Sequence, residues 1–237
     1  KNMKKYFNSK LYLFENLIKK KGNIITDASI PQAKKIRNIS IKKNINLSLI
    51  FNKEKGIELV SHKFRNENQI LKIRFNNKNY EFQLNLIGKI QIKNMLMSIL
   101  AAEKSGLEFE KIINVIKKIK PVEGRLEKIG IIKNNSKVIL DYAHTPEALE
   151  LALFNIQEQF PSSKISLVFG CGGDRDNKKR SVMGRIAEKY SNRIILNDDN
   201  QKNKKKKKIR KEIKKGIKKV KIQELPNREK AIHKAIM

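Results

Sequence analysis

Two residues with ligand-binding and acid–base chemistry, Asp141 and His144, lie three positions apart in a chain that has only three histidines. They follow an apolar run at 138–140 and precede Pro146, which predicts a strand end that leads into a helix. In open α/β sheets this edge binds ligands. Asp141 can accept hydrogen bonds from a ribose diol or hold a cation, and His144 can donate to a phosphate or carry a proton. The alternative is that Asp141 only caps the helix near Pro146.

A glycine-rich loop at 170–176, with the sequence GCGGDRD, follows a second apolar run. Its three glycines permit close backbone approach, and the helix predicted after it offers N–H groups to an anion. Arg175, Lys178, Lys179 and Arg180 add positive charge. The spacing matches neither the dinucleotide fingerprint nor the phosphate loop Gly-x-x-x-x-Gly-Lys-Ser/Thr, and the latter occurs nowhere in the 237 residues. The pattern indicates an anion site or, alternatively, an ordinary glycine-rich turn.

The composition narrows the class of protein. Fifty-four Lys and Arg residues against 23 Asp and Glu give a net charge of +31, which suits nucleic acid, an anionic membrane or a phosphate-rich substrate. Lys, Ile and Asn are abundant throughout, so compositional drift is the alternative explanation. The single cysteine, Cys171, excludes an internal disulfide and fits a reducing cytoplasm. No apolar run reaches about 18 residues and no signal peptide is evident, so a cytoplasmic location is expected.

The first half of the chain carries the patterns of a mixed α/β domain. An Asn-rich turn at 76–79 separates two alternating runs and predicts an antiparallel hairpin with one wet face. Pro121 and Gly124 then mark a boundary, which predicts domains over 1–122 and 123–237. The elements predicted before the boundary are helices over 3–20, 31–39, 94–106 and 109–119, and strands over 23–27, 47–51, 57–60, 70–75 and 80–84.

Beyond the boundary, strands and helices alternate, which predicts an α/β fold with a parallel, doubly wound sheet. The Lys-rich run at 202–221 predicts a solvated helix with a narrow apolar side. The predicted order is strand 137–141, helix 146–159, strand 165–170, helix 179–190 and strand 193–197.

Three motifs together resemble the Mur ligase family. They are Asp141-Tyr142-Ala143-His144-Thr145-Pro146, the 170–176 loop with Lys179-Arg180, and Gly124-Arg125-Leu126-Glu127. The likeness covers essentially the whole chain and is closest to the MurE branch, which adds the third residue of the peptidoglycan stem. It implies that 1–122 is the remainder of a central ATP-binding domain. It also implies that 123–237 is an incomplete Rossmann-like carboxy-terminal ligase domain.

The resemblance implies one residue that binds Mg²⁺ and a set of residues that contact ATP. Lys10 matches the lysine that the family carbamylates to bind Mg²⁺, although its place beside an apolar stripe is also typical of a snorkelling surface lysine. Asn94 matches an adenine-side residue, but Ile90-Gln91 stands where the family has Phe-Asn. Arg125, Asp141 and His144 match residues that contact ATP, with Asp141 on the ribose.

The resemblance also implies residues for the incoming amino acid. Arg175, Asp199, Asn200 and Lys202 match positions that hold it. The family has Asp-Asn-Pro-Arg where this chain has Asp199-Asn200-Gln201-Lys202, and Lys does not replace the two parallel bonds of Arg to a carboxylate. The identity of meso-diaminopimelate as the third amino acid is therefore a default.

The implied activity is ATP-dependent amide formation. The enzyme would add the amino acid to UDP-N-acetylmuramoyl-L-Ala-D-Glu through an acyl phosphate, and it would use ATP and Mg²⁺. It is expected to be a monomer and to bind neither a membrane nor a specific nucleic acid. Family members begin with a uridine-nucleotide domain and a Gly-Thr-Asn-Gly-Lys-Thr loop, and neither occurs here. A fragment that is not a competent ligase alone is therefore expected.

Two alternatives stay open at the level of sequence. One is another Mur-type ligase, for example a MurF-like enzyme. The other is a non-catalytic basic module that binds nucleic acid through the Lys run at 202–221, although few aromatic residues interleave with those lysines for base stacking.

Overall fold

A computed structural model describes residues 3–65, 67–172, 177–199 and 206–237. The chain divides into two units, Lys1–Lys120 and Pro121–Met237. The boundary lies at the proline that marks the change of sequence character. None of the described helices combines the length and the hydrophobicity that a bilayer crossing requires.

The first unit is built on a five-stranded sheet in the order β1-β2-β3-β4-β5. β1, β2 and β3 run parallel, whereas β3, β4 and β5 form an antiparallel meander. A π-helical turn, Leu13–Leu17, continues the first helix. The elements are α1 (Met3–Tyr12), β1 (Asn23–Asp27), α2 (Ala33–Lys43), β2 (Asn46–Ile50), β3 (Gly56–Arg65), β4 (Asn68–Phe75), β5 (Lys78–Leu84), α3 (Lys89–Lys104) and α4 (Phe109–Ile116).

Alternation along the meander explains how it forms a core. In β4 every second residue is buried, so Leu71 and Ile73 are fully inaccessible on one face. Leu96 and Leu100 of α3 pack in the same cluster. The predicted hairpin is confirmed. The helix predicted over 94–106 begins earlier, at Lys89 directly after Gly88, and its first turn buries Gln91.

The described residues of the second unit form two separate sheets. β6 and β7 form an antiparallel pair, and β8, β9 and β10 form a parallel sheet in the order β10-β9-β8. The elements are β6 (Glu127–Ile131), a 3₁₀ turn (Lys133–Asn135), β7 (Lys137–Leu140), α5 (Pro146–Gln159), β8 (Ser166–Phe169), α6 (Asn177–Tyr190), β9 (Arg193–Leu196), α7 (Lys206–Lys214), β10 (Lys221–Glu224) and α8 (Arg228–Ile236).

The strand at 137–141 was predicted to belong to the parallel sheet, and this prediction is wrong. It pairs with β6, a strand that the sequence pattern did not predict, across a turn closed by the bond from Ile132 N to Ser136 O at 2.9 Å. A partner a few residues upstream requires a much shorter closed loop than a crossover does. The sequence signal of β6 is weak, since the strand is five residues long and contains Gly130, and its two isoleucines are not core residues: Ile129 is 56% and Ile131 is 55% exposed.

The doubly wound character of the parallel sheet is confirmed by its central strand. Ile194, Ile195 and Leu196 of β9 are all 0% exposed, so both faces of the strand are covered. Ile194 and Leu196 pack in one cluster with residues of α6 and α7. Ile195 points to the opposite face by alternation, and α8 contacts β8 and β9.

This two-sided burial predicts different costs for two isoleucines in strands of the same unit. Ile195→Ala should lower the free energy of unfolding by about 2–5 kcal/mol, since it opens a cavity in a fully covered layer. Ile129→Ala on exposed β6 should cost less than about 1 kcal/mol. Urea denaturation followed by far-UV circular dichroism measures both. Equal losses would contradict the assignment of β6 as an exposed ribbon.

Candidate functional site

The side chain of Asp141 joins two of the recognised motifs. Its Oδ2 accepts a hydrogen bond from the backbone N–H of Leu126 at 2.9 Å, and its Oδ1 accepts one from Ala143 at 2.8 Å. The backbone N–H of Tyr142 donates to the carbonyl of Gly124 at 2.8 Å. Leu126 has φ +47°, a left-handed conformation that a leucine adopts only when its surroundings fix it. The half-buried carboxylate thus ties the 124–126 turn to the end of β7.

The helix-capping alternative for Asp141 is wrong. The N-cap of α5 is Thr145, whose Oγ1 accepts a hydrogen bond from Ala148 N at 3.2 Å, and Pro146 occupies the first turn. Each carboxylate oxygen of Asp141 has a further lone pair beyond its bond to backbone. The residue can therefore accept donors from a ligand while it holds the turn.

Arg125 and His144 both lie against the ring of Tyr142, which is 65% exposed. The guanidinium carbon of Arg125 is 5.4 Å from the ring centroid, and the imidazole of His144 meets the ring edge-on at 5.4 Å. Nδ1 of His144 lies 3.0 Å from the carbonyl oxygen of Tyr142. Because a carbonyl only accepts, Nδ1 carries the hydrogen and Nε2 carries the lone pair of the neutral ring. The structure therefore brings together Arg125, Asp141 and His144.

The start of the glycine-rich loop is fixed by a close backbone approach. A Cβ on Gly170 would lie 2.5 Å from the carbonyl oxygen of Asn197, so only glycine allows β8 to end so near the segment after β9. Arg180, 1% exposed, donates from Nη2 to the carbonyl of Gly172 at 3.1 Å and from Nη1 to Glu212 at 2.5 Å. A buried cation on α6 thus anchors the loop.

A second buried cation anchors the segment after β9. Arg210 of α7 is 5% exposed and forms ion pairs with Asp198 and with Glu224. Hydrogen bonds from Lys214 and Arg210 hold the pKa of the Glu224 carboxyl below its ordinary value. Asp199 follows directly after Asp198, so the pair with Arg210 fixes the backbone that leads to it.

Three predicted amino-acid-binding residues, Arg175, Asn200 and Lys202, lie outside the described residues. Sequence reasoning gave Arg180 only as part of a charge cluster and did not single out Arg210. No local signal marks Arg210 among the lysines around it, since its acidic partners are distant in sequence.

In the first unit, Lys10 is an exposed residue of α1 with its Nζ 4.8 Å from the ring centroid of Tyr6. Within the described residues there is no group of three or more His, Cys, Asp or Glu side chains that could hold a metal ion. Mg²⁺ is usually held in proteins by one or two carboxylates together with waters and substrate phosphates, so a carbamate on Lys10 would be one oxygen ligand of such a site.

Asn94 lies exposed on α3, with its Nδ2 3.4 Å from Oε1 of Gln91. Its neighbour Lys93 forms an ion pair with Asp27 at 2.8 Å. Asp27 lies at the carboxyl end of β1, where it also accepts hydrogen bonds from the N–H and the hydroxyl of Ser29. Burial raises the pKa of Asp27, but the bonds from Lys93 and Ser29 outweigh it, so the pKa is lowered.

Sequence reasoning missed this pair. The available signal was an acidic residue that ends an apolar strand, which is the same signal that identified Asp141.

The fold and these motifs agree with comparisons to known families. The model of the Mur ligase middle domain matches residues 1–102, and the model of the Mur ligase, glutamate ligase domain matches residues 124–237. The chain belongs to the Mur ligase family. A relative from Rickettsia montanensis, named UDP-N-acetylmuramoyl-L-alanyl-D-glutamate--2,6-diaminopimelate ligase, is 36% identical over 228 residues, which are 96% of this chain and 47% of the relative.

Two solved structures show the same fold. One is titled UDP-N-acetylmuramoyl-L-alanyl-D-glutamate--2,6-diaminopimelate ligase, with a TM-score of 0.62 and 23% identity over 98% of this chain and 48% of that one. The other is the Mycobacterium tuberculosis folylpolyglutamate synthase complexed with ADP, with a TM-score of 0.66 and 15% identity over 90% and 47%. The chain spans about half the length of the curated relatives it matches.

The Asp27–Lys93 pair predicts a pH-dependent contribution to stability. Because the pKa of Asp27 is lowered in the folded state, the contribution is present above the unfolded pKa and is lost as the pH falls through the folded pKa. Asp27→Asn should cost about 1–3 kcal/mol near neutral pH and progressively less below pH ~4. Denaturation of the single variants and of Asp27→Asn/Lys93→Gln measures the coupling, and additive losses would contradict the pair.

The close approach at Gly170 predicts an asymmetry between two glycines. Gly170→Ala should destabilise the second unit by about 1–3 kcal/mol, since its Cβ would meet the Asn197 carbonyl at 2.5 Å. Gly130→Ala is the matched control, because its added Cβ meets no atom within 4 Å. Thermal unfolding compares the two, and an unchanged Tm in Gly170→Ala would show that β8 and the 197 segment are further apart.

Proposed function

We propose that the chain forms part of an ATP-dependent ligase that adds meso-diaminopimelate to UDP-N-acetylmuramoyl-L-Ala-D-Glu. The observation that carries the proposal is the match along 96% of the chain to a relative of that name. The joined turns that present Arg125, Asp141 and His144 support it, since their residues are the ones that the family likeness assigns to ATP.

The two units would divide this work. Residues 1–122 would be the remainder of the central ATP-binding domain, and residues 123–237 would form the carboxy-terminal ligase domain. The 237 residues contain no phosphate-binding loop to cradle the β- and γ-phosphates. We therefore expect the 237-residue chain by itself to have no ligase activity.

The reaction would proceed in two displacements. A carboxylate oxygen of the UDP-linked dipeptide attacks the γ-phosphorus of ATP, and the bond from that phosphorus to the β-phosphate oxygen breaks. ADP is the leaving group, and the dipeptide becomes an acyl phosphate. The amine of the amino acid then attacks the acyl carbon and expels phosphate, and the nitrogen loses a proton. Such transfers depend mainly on positioning and on stabilisation of charge.

The residues of the second unit would act as binding groups. Arg125 would place positive charge near the phosphates, and Asp141 would accept hydrogen bonds from the ribose hydroxyls through its remaining lone pairs. His144 would donate to phosphate from Nε2 when protonated, because its Nδ1 is directed to the Tyr142 carbonyl. The backbone bonds to Asp141 hold it on the turn, which favours a positioning role over proton transfer.

For the amino acid, Arg175, Asp199, Asn200 and Lys202 would form the recognition set. Lys202 would offer a single point charge to a carboxylate where the family has a forked guanidinium. In the first unit, Asn94 would lie on the adenine side. Lys10, as a carbamate, would offer an oxygen to Mg²⁺, which would offset phosphate charge when bound.

A chimeric enzyme tests the proposal. Joining the chain to the parts of the Rickettsia montanensis relative that it does not match, on both sides of the matched stretch, should give phosphate release that depends on diaminopimelate. Arg125→Ala should lower kcat/KM roughly 10- to 100-fold, as expected for the loss of a charge-assisted contact with phosphate. Lys128→Ala, an exposed cation on β6, is the matched control and should stay near the parent value.

Substrate choice separates the alternatives. Release that depends on D-alanyl-D-alanine instead of diaminopimelate would favour a MurF-like enzyme. A chimera that folds but releases no phosphate with either compound would contradict a ligase role.

A further inference from the structure

Exposed lysines are dense along α7 and the segment that follows it, and none of those from 206 to 221 is among the proposed ligase residues. Nine of the sixteen residues from 206 to 221 are lysines. All nine are exposed. We call this surface the lysine face; its members are Lys206, Lys207, Lys208, Lys211, Lys214, Lys215, Lys218, Lys219 and Lys221.

The acidic groups near the lysine face are mostly engaged elsewhere. Glu188 accepts hydrogen bonds from the backbone N–H groups of Lys219, Lys218 and Val220, and these bonds, with a smaller contribution from the charge of Lys219, lower its pKa. Glu212 is paired with buried Arg180.

Asp198 and Glu224 are two further acids that contact α7. Both are paired with Arg210, and Glu224 also binds Lys214 at 2.7 Å. Among the described residues, the other eight lysines of the face form no ion pair with a carboxylate. The lysine face therefore presents a concentrated positive charge that the described carboxylates neutralise only in part.

The same segment lacks apolar and aromatic groups on its outer side. Ile209, Ile213 and Ile217 are at most 8% exposed and belong to the core of the unit. No aromatic residue occurs from 206 to 221. The face therefore has no ring on which an unpaired base could stack and no apolar wedge to enter a bilayer.

We propose that the lysine face binds double-stranded nucleic acid through its phosphate backbone, without sequence preference. A duplex hides its bases and presents closely spaced phosphates, so exposed ammonium groups alone suffice for binding. Attachment to a membrane surface usually needs an apolar anchor beside the charge, and the isoleucines of α7 are committed to the core. A duplex is thus the polyanion that matches the chemistry of this surface.

The salt dependence of duplex binding tests the proposal. The intact 237-residue chain is titrated into a fluorescein-labelled DNA duplex of mixed sequence from ~50 to ~200 mM KCl. Replacing Lys206, Lys207, Lys208 and Lys211 with Gln should weaken binding at least tenfold. The slope of log K against log salt should become shallower by about 3 to 4, since each lost phosphate contact contributes about 0.9. The helix α7 should persist in this variant, because Lys and Gln have similar helix propensity. Circular dichroism verifies this.

The matched control removes the same charge from exposed lysines of the first unit, Lys19, Lys20, Lys42 and Lys43. It should keep nearly the parent slope. Equal losses in both variants would show diffuse charge and would overturn the proposal. Binding to phosphatidylglycerol vesicles but not to the duplex would also overturn it, in favour of a membrane surface. Neither outcome bears on the ligase proposal, since no residue assigned to ATP or the amino acid is altered.

Discussion

Two buried guanidinium groups organise the carboxyl edge of the parallel sheet. Arg180 of α6 and Arg210 of α7 are at most 5% exposed, and each binds both an acid and the chain that leaves a strand. Arg180 reaches the carbonyl of Gly172, and Arg210 reaches Asp198. A buried cation is costly unless its hydrogen bonds are made. These bonds therefore fix the loops and α7 at once, and the lysines beside Arg210 are left on the outside.

The motif that contains Asp141 uses the reverse arrangement, in which a carboxylate accepts hydrogen bonds from backbone N–H groups. Asp141 accepts N–H groups from Leu126 and Ala143, so two turns far apart in sequence share one side chain. Arg125 and His144 reach Tyr142 as a consequence of that junction. Loops cannot satisfy their backbone groups in a ladder, so polar side chains do so instead. Asp141, which the family likeness predicts to contact the ligand, thus also supports the turn that carries it.

Much of the fold could be predicted from the sequence because its signals are local. The alternation in β4, the Asn-rich hairpin turn and the Pro121 boundary each depend on neighbouring residues. The family likeness predicts Arg125, Asp141 and His144 as ATP-binding residues, and the structure places their two turns together, although their role stays a prediction. The pairing of β7 could not be predicted, because a largely apolar strand of four residues fits either a crossover or a local hairpin.

The sequence by itself determined the strand and helix alternation, the two-part division and the family motifs, since periodicity, proline and glycine act over short spans. Only the tertiary structure decided that Thr145 caps α5 while Asp141 holds the turn, that Lys93 pairs with Asp27, and that Arg210 is buried among exposed lysines. Those outcomes depend on partners brought close by folding. A charged residue has the same chemistry in every position of a sequence, and its role is set by which opposite charge or backbone group the fold places within reach.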